Sequence, residues 1–224
     1  TAVEIFEQAV YFARDLAARG ERLSNIVLMG MGEPLYNYDA TLVAVRRLMS
    51  DLGIGARHIT VSTVGLVPMI MRFADEGLQV KLAVSLHAAT DIEREALLPI
   101  NKRWPLRELI NACRYYVDKT GRRISFEWAL IQGENDTLEQ AHALGKLLKG
   151  LLCHVNLIPL NPTPGYHGGP SAAGRVESFI ATLAEYGVPA TVRVRRGIDI
   201  DAGCGQLKSK VVRGRAGRPS TTSD

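Results

Sequence analysis

Cysteine is scarce. The 224 residues carry three, Cys113, Cys153 and Cys204, far apart and without CxxC spacing. An odd, scattered set excludes a disulfide scaffold and argues against a structural zinc site. Free thiols suit a reducing compartment, so a cytoplasmic location is expected. Long hydrophobic runs are missing too: none approaches the roughly 18 residues that span a bilayer, and no membrane partner is expected. The body also lacks a charge of one sign. All of the net charge of +4 comes from residues 208–224, which hold five basic residues and one acid, and the remainder holds 22 of each. A neutral body gives no licence for a nucleic-acid claim from charge alone. There is no initiator Met: the chain opens TAVEIFEQAV, already helical in pattern, and reads as a fragment of a longer gene product.

Hydrophobic residues make up 46% of the chain, enough for a large core. Apolar stripes at helical spacing predict helices over 3–17, 39–49, 68–74, 93–98, 105–118, 138–148 and 176–186. Asp39 is placed as a cap and Pro105 as a first helical residue. Short apolar runs predict strands over 25–29, 58–63, 80–86, 123–131, 154–158 and 190–194. Strand and helix thus alternate six times without an internal repeat or a dividing linker. Mostly continuous apolar strands indicate an α/β fold with a parallel sheet covered by helices, in a single body over 1–207. The tail, 208–224, is basic and rich in Gly, Ser and Thr; it reads as a disordered, solubilising end in preference to a phosphate-binding arm.

Polar groups close five of the strands: Glu33 after the first, Ser62 and Thr63 after the second, Ser85 and His87 after the third. Asn156 and Asn161 follow the fifth, and Arg195, Arg196 and the segment 199–204 follow the sixth. In a parallel array these ends share one rim, where such folds place their sites, which favours a partial barrel with a ligand at its mouth. Gly30-Met31-Gly32-Glu33-Pro34-Leu35 is no dinucleotide fingerprint, because the third glycine position is Leu35 and Pro34 turns the chain from a helix entry. It offers instead backbone open to a ligand and a carboxylate for a cation or amine. His87 taken alone reads as a buried histidine with satisfied nitrogens. Cys113 reads as a core thiol and Cys153 as structural. Cys204 differs: Gly203 and Gly205 flank it, leaving an accessible sulfur on an adaptable segment, as a nucleophile requires.

Six segments, in order, carry a resemblance: NIVLMGMGEPLYN (25–37), ITVSTVGLVP (59–68), LAVSLHA (82–88), LPINK (98–102), HVNLIPLNP (154–162) and IDAGCGQL (200–207). Together they resemble the C-terminal portion of the radical S-adenosylmethionine (SAM) dual-specificity 23S ribosomal RNA and transfer RNA adenine C2-methyltransferases. The competing readings are the paralogue that methylates carbon 8 and a non-catalytic SAM- or RNA-binding fragment.

The resemblance implies a partial (β/α)6-type radical SAM barrel, lacking in this chain its first strand and cluster loop. It implies SAM and a 4Fe-4S cluster as cofactors, the cluster ligands lying upstream of residue 1 in a CxxxCxxC loop. The implied partners are 23S rRNA, tRNA and an electron donor such as flavodoxin. SAM contacts are implied for Gly32, Glu33, Ser62, Ser85, Leu86, His87 and Asn161, with the Glu33 carboxylate on the SAM amino group. Cys204 matches the cysteine that is methylated during turnover. In the implied chemistry one SAM methylates that sulfur and a second, cleaved at the cluster, supplies a radical that activates the methyl group for addition to carbon 2 of adenine. No metal ligand is expected within this chain, which by itself is expected to perform no radical chemistry. Departures from the family's usual pattern are Val64 for Ser, Gly203 for Ala, and Arg-Val-Arg-Arg-Gly over 193–197.

Overall fold

The strands of this chain alternate in character residue by residue, and that alternation builds the molecule. A computed structural model describes residues 1–159 and 171–193. In chain order the elements are α1 (Ala2–Ala18), β1 (Ile26–Leu28), α2 (Tyr38–Ser50), β2 (Ile59–Thr63), α3 (Val67–Asp75), β3 (Lys81–Ser85) and α4 (Asp91–Leu97). They continue with α5 (Leu106–Thr120), β4 (Ile124–Leu130), α6 (Leu138–Leu148), β5 (Cys153–Pro159), α7 (Ala173–Glu185) and β6 (Ala190–Val192). The six strands form one sheet in sequential order. Every neighbouring pair is parallel. These are the six strands expected from the alternation of strand and helix.

Ile59, Val61, Leu82, Val84, Ile124, Phe126, Trp128, Leu130, Val155 and Leu157 are fully buried and join one core with helix residues such as Ile70, Leu109, Tyr116, Leu144 and Phe179. Trp128 of β4 meets Phe179 of α7 with ring centroids 5.9 Å apart. The residues between them in sequence, Thr60, Ser62, Ser85, Ser125, Glu127, His154 and Asn156, take the other face, because side chains alternate across a strand. The registers align them: Ser85 pairs with Glu127, Glu127 with Asn156 and Asn156 with Thr191. The expectation of mostly continuous apolar strands is therefore corrected. One face is apolar and packed by helices, and the other is polar.

That polar face is the inside of a curl. Arg193, just after β6, reaches Met29, just after β1, with Nη1 3.6 Å from the sulfur. In a flat six-stranded sheet the edge strands would lie about 24 Å apart, beyond any arginine's reach. The sheet must bend round until its edges approach, which is partial-barrel closure.

Helix ends follow local chemistry. Thr1 caps α1 in a reciprocal box with Glu4, and Thr90 and Thr137 cap α4 and α6. Asp39 does not cap α2: the N-cap is Asn37, and Asp39, in the first turn, pairs with Arg72 at 2.8 Å. Pro105 stands one residue before α5, at the cap position, and Gly121 ends that helix with φ 63°. Among the described residues no helix is long and apolar enough to cross a membrane.

Candidate functional site at the carboxyl ends of the strands

The turn after β1 requires glycine: Gly30 and Gly32 have φ of 134° and 86°, conformations L side chains resist. Gly32 is exposed, with nothing within 4 Å of where a Cβ would stand, so a ligand can approach its backbone. Glu33 follows, partly buried. Its Oε1 accepts from the Leu35 amide at 3.0 Å and its Oε2 from the Val64 amide at 2.7 Å. Burial raises its pKa above the usual carboxylate range, against the pull of those two amides. Each oxygen has a second lone pair, so the carboxylate can still accept from an ammonium group.

At the end of β2, Ser62 and Thr63 are buried, and Thr63 Oγ1 accepts from the Gly65 amide at 3.1 Å. Ser85, half-buried, ends β3 on the polar face. Leu86 is fully buried in the apolar core and its amide donates to the Glu127 carbonyl at 3.0 Å, so neither its side chain nor its amide is available to a ligand. His87 has φ 60°, and its Nδ1 accepts from the Ala129 amide at 2.9 Å. An amide is an obligate donor, so the neutral ring carries its proton on Nε2. Burial, then the nearby Arg94 charge, lowers its pKa to about 4. The reading of a buried, satisfied histidine thus describes its Nδ1, while Nε2 keeps a donor.

The structure brings Gly32, Glu33, Ser62, Ser85 and His87 to one rim. Asn161, Cys204, Arg195, Arg196 and the segment 199–204 lie outside the described residues, as does the tail. A cavity of about 470 Å³ opens between α1 and the β1 turn; it is lined by Phe12, Val27, Met29 and Gly30 and shares Gly32 and Glu33 with the rim, but not Ser62, Ser85 or His87.

Three polar groups at this end escaped the sequence reading. Glu127 is 3% exposed; its Oε1 accepts from Asn156 Nδ2 at 2.8 Å, and Oε2 has no hydrogen-bond partner, with Arg193 Nη1 3.6 Å away. Burial raises its pKa. Arg94 is wholly buried, and Asn101 at 2% exposure supports it. The alternation in Ile124-Ser125-Phe126-Glu127-Trp128 could have revealed Glu127; nothing local marks Arg94, one charge in a charged helix.

The thiols within the described residues do not suit an iron–sulfur cluster. Cys113 and Cys153 are buried, burial pushes both thiols up, Cys153 to about 11, and a ligand must be a thiolate. Among the described residues no group of three His, Cys, Asp or Glu is placed to hold a metal.

Comparisons with known proteins identify the family. The Radical SAM superfamily matches residues 5–144. The chain is 60% identical over 225 residues to the dual-specificity RNA methyltransferase RlmN 1 of Myxococcus xanthus, covering 100% of this chain and 62% of that protein. The probable dual-specificity RNA methyltransferase RlmN of Clostridium perfringens is 49% identical over 217 residues, covering 96% and 62%. The crystal structure of a radical SAM methyltransferase from Sphaerobacter thermophilus superposes with a TM-score of 0.89 at 55% identity, covering 92% of this chain and 61% of that one. The chain thus spans somewhat over three-fifths of the length of these relatives. With the superfamily match extending over more than half of its residues and the same architecture in a solved relative, the chain belongs to the radical SAM superfamily.

Proposed function

We propose that this chain is the SAM-binding part of an RNA methyltransferase that methylates carbon 2 of adenine in 23S rRNA and tRNA through an S-methylcysteine at Cys204. The observation that carries the reading is the identity of 60% to a dual-specificity RNA methyltransferase along the whole chain, joined to a rim whose groups suit a zwitterionic sulfonium. The residues present fit SAM. Glu33 retains lone pairs for the SAM ammonium, the Gly32 backbone admits its methionyl portion, and Ser62 and Ser85 offer hydroxyls on the polar inner face. The His87 Nε2–H adds a donor that stays neutral at physiological pH. Asn161 is assigned as a further SAM contact in this reading, on the resemblance alone.

The family's cluster would supply the electron for reductive SAM cleavage, and no described residue fits it as a ligand. In this reading these residues hold and orient SAM. Methylation of an aromatic carbon that is not nucleophilic calls for a sulfur relay in place of direct transfer, the role given to Cys204.

The test uses the complete protein in a strain lacking endogenous RNA C2-methylation. Mass spectrometry of its 23S rRNA and tRNA is expected to show 2-methyladenine, lost on Cys204→Ala while reductive SAM cleavage persists. Methylation surviving in Cys204→Ala would overturn the relay, and 8-methyladenine in place of 2-methyladenine would overturn the regiochemistry.

A further inference from the structure

Among the described residues the most unusual buried group is Arg94, at 0% exposure. Among the described ion pairs none involves it. A guanidinium taken out of water without a carboxylate is costly, unless hydrogen bonds occupy its donors. Here two bonds go to backbone and one to a side-chain amide, while Nε has no hydrogen-bond partner. Arg94 Nη2 donates to the carbonyl of Val64 at 2.7 Å and to that of Ser85 at 3.1 Å, and Nη1 donates to Asn101 Oδ1 at 2.9 Å. One side chain therefore ties the carboxyl ends of β2 and β3 together from behind the rim.

The support continues outward. Asn101 Nδ2 donates to the carbonyl of Asp91 at 3.1 Å and to its Oδ1 at 2.9 Å, and the same Oδ1 accepts from the Leu106 amide at 2.7 Å. This gives the LPINK segment a physical role: its asparagine locks the guanidinium in place. The approach also needs Gly65, where φ is +106° and an added Cβ would stand 3.2 Å from Arg94 Nη2 and 3.0 Å from Leu109 Cδ1.

The Val64 main chain is the junction. Its amide donates to Glu33 Oε2 and its carbonyl accepts from Arg94. Displacing that residue would swing the Glu33 carboxylate and carry Ser62, two residues back, with it. We infer that Arg94 is a positioning residue for the SAM site, fixing through the Val64 and Ser85 main chain the groups that receive the ligand, without touching the ligand itself. The inference rests on the reading of Glu33 as the SAM-ammonium partner and adds how that carboxylate is aimed.

A double-mutant cycle in the complete protein tests it, with SAM affinity by calorimetry in the absence of reductant as the readout. Glu33→Gln alone is expected to weaken SAM at least tenfold. Arg94→Met is expected to weaken it about tenfold in the parent but less than twofold in the Glu33→Gln background, and Arg94→Lys to recover part of the loss. Exchange of the Val64 amide with solvent is expected to quicken at least tenfold in Arg94→Met. Should that variant not fold, Asn101→Ala carries the same cycle with an expected loss of about threefold. An Arg94 effect of equal size in both backgrounds overturns the positioning role while leaving the Glu33 assignment intact. Unchanged SAM affinity in Glu33→Gln overturns the site assignment, and the inference with it.

Discussion

Phe126, Glu127 and Trp128 are consecutive residues of one strand, and they do opposite work. Phe126 and Trp128 point to the helices, fully buried in the core. Glu127 points to the inner face, equally removed from water, with one oxygen bound to Asn156 and the other without a hydrogen bond. The apolar face is complete: its groups want nothing but each other. The polar face is incomplete by design of its chemistry, since a buried carboxylate, serines and a neutral histidine donor are costly to keep unless something binds there. With one face for folding and the other proposed for binding, the sheet separates the two demands by a single residue step.

If that division is right, substitutions should separate into two kinds. Trp128→Ala, on the helix side, opens a cavity against Phe179 and should cost about 3–5 kcal/mol in denaturant unfolding. A loss below about 1 kcal/mol would break the comparison from the apolar side. On the inner face the effects should be smaller and depend on pH. His87 is lowered by burial to about 4, so the unfolded chain binds its proton first as pH falls. The native state is then favoured above the ordinary histidine value of about 6.5 and loses stability progressively down to about pH 4. His87→Gln, which can still accept from the Ala129 amide, should flatten that stretch of the stability–pH curve; an unchanged slope would show that His87 is not the titrating group.

Glu127 has the opposite sign. Its pKa is raised by burial, so the native state holds its proton longer and is less stable once pH passes through that raised value. Glu127→Gln should therefore gain on the parent as pH climbs from about 4 to 7, by roughly 1 kcal/mol or less, because loss of the Arg193 attraction offsets part of the relief. A variant that falls behind the parent over that range would mean that the Arg193 pairing outweighs the burial cost.

Much of this was legible in advance, for reasons visible in particular residues. The six strands and seven helices of the described residues followed from apolar spacing, and Gly30-Met31-Gly32-Glu33 marked its turn because positive φ selects glycine. Glu33, Ser62, Ser85 and His87 were legible as strand-end groups, since a parallel topology sends every carboxyl end to one rim. The curl was expected from the polar strand ends, but the contact between residues 29 and 193 that reveals it could not be read, because its partners lie at opposite ends of the chain. Arg94 escaped for a similar reason: its partners, Val64 and Ser85, are main-chain carbonyls supplied by other strands, and no motif records them. Asp39 misled because its residue type suits a cap, while Arg72 on a neighbouring helix offers it a charge. Glu33 also proved more embedded than a free ligand carboxylate, so truncation to Ala would strand two amides and confuse binding with folding. Gln is the cleaner replacement.

The account stands most directly on one titration: SAM into the complete protein and its Glu33→Gln variant, with thermal unfolding of both recorded in parallel. The expected result is an affinity lower by at least tenfold, equivalent to about 1.4 kcal/mol, with melting temperatures that nearly coincide. Equal affinities for the two proteins would contradict the assignment of the polar rim as the SAM site.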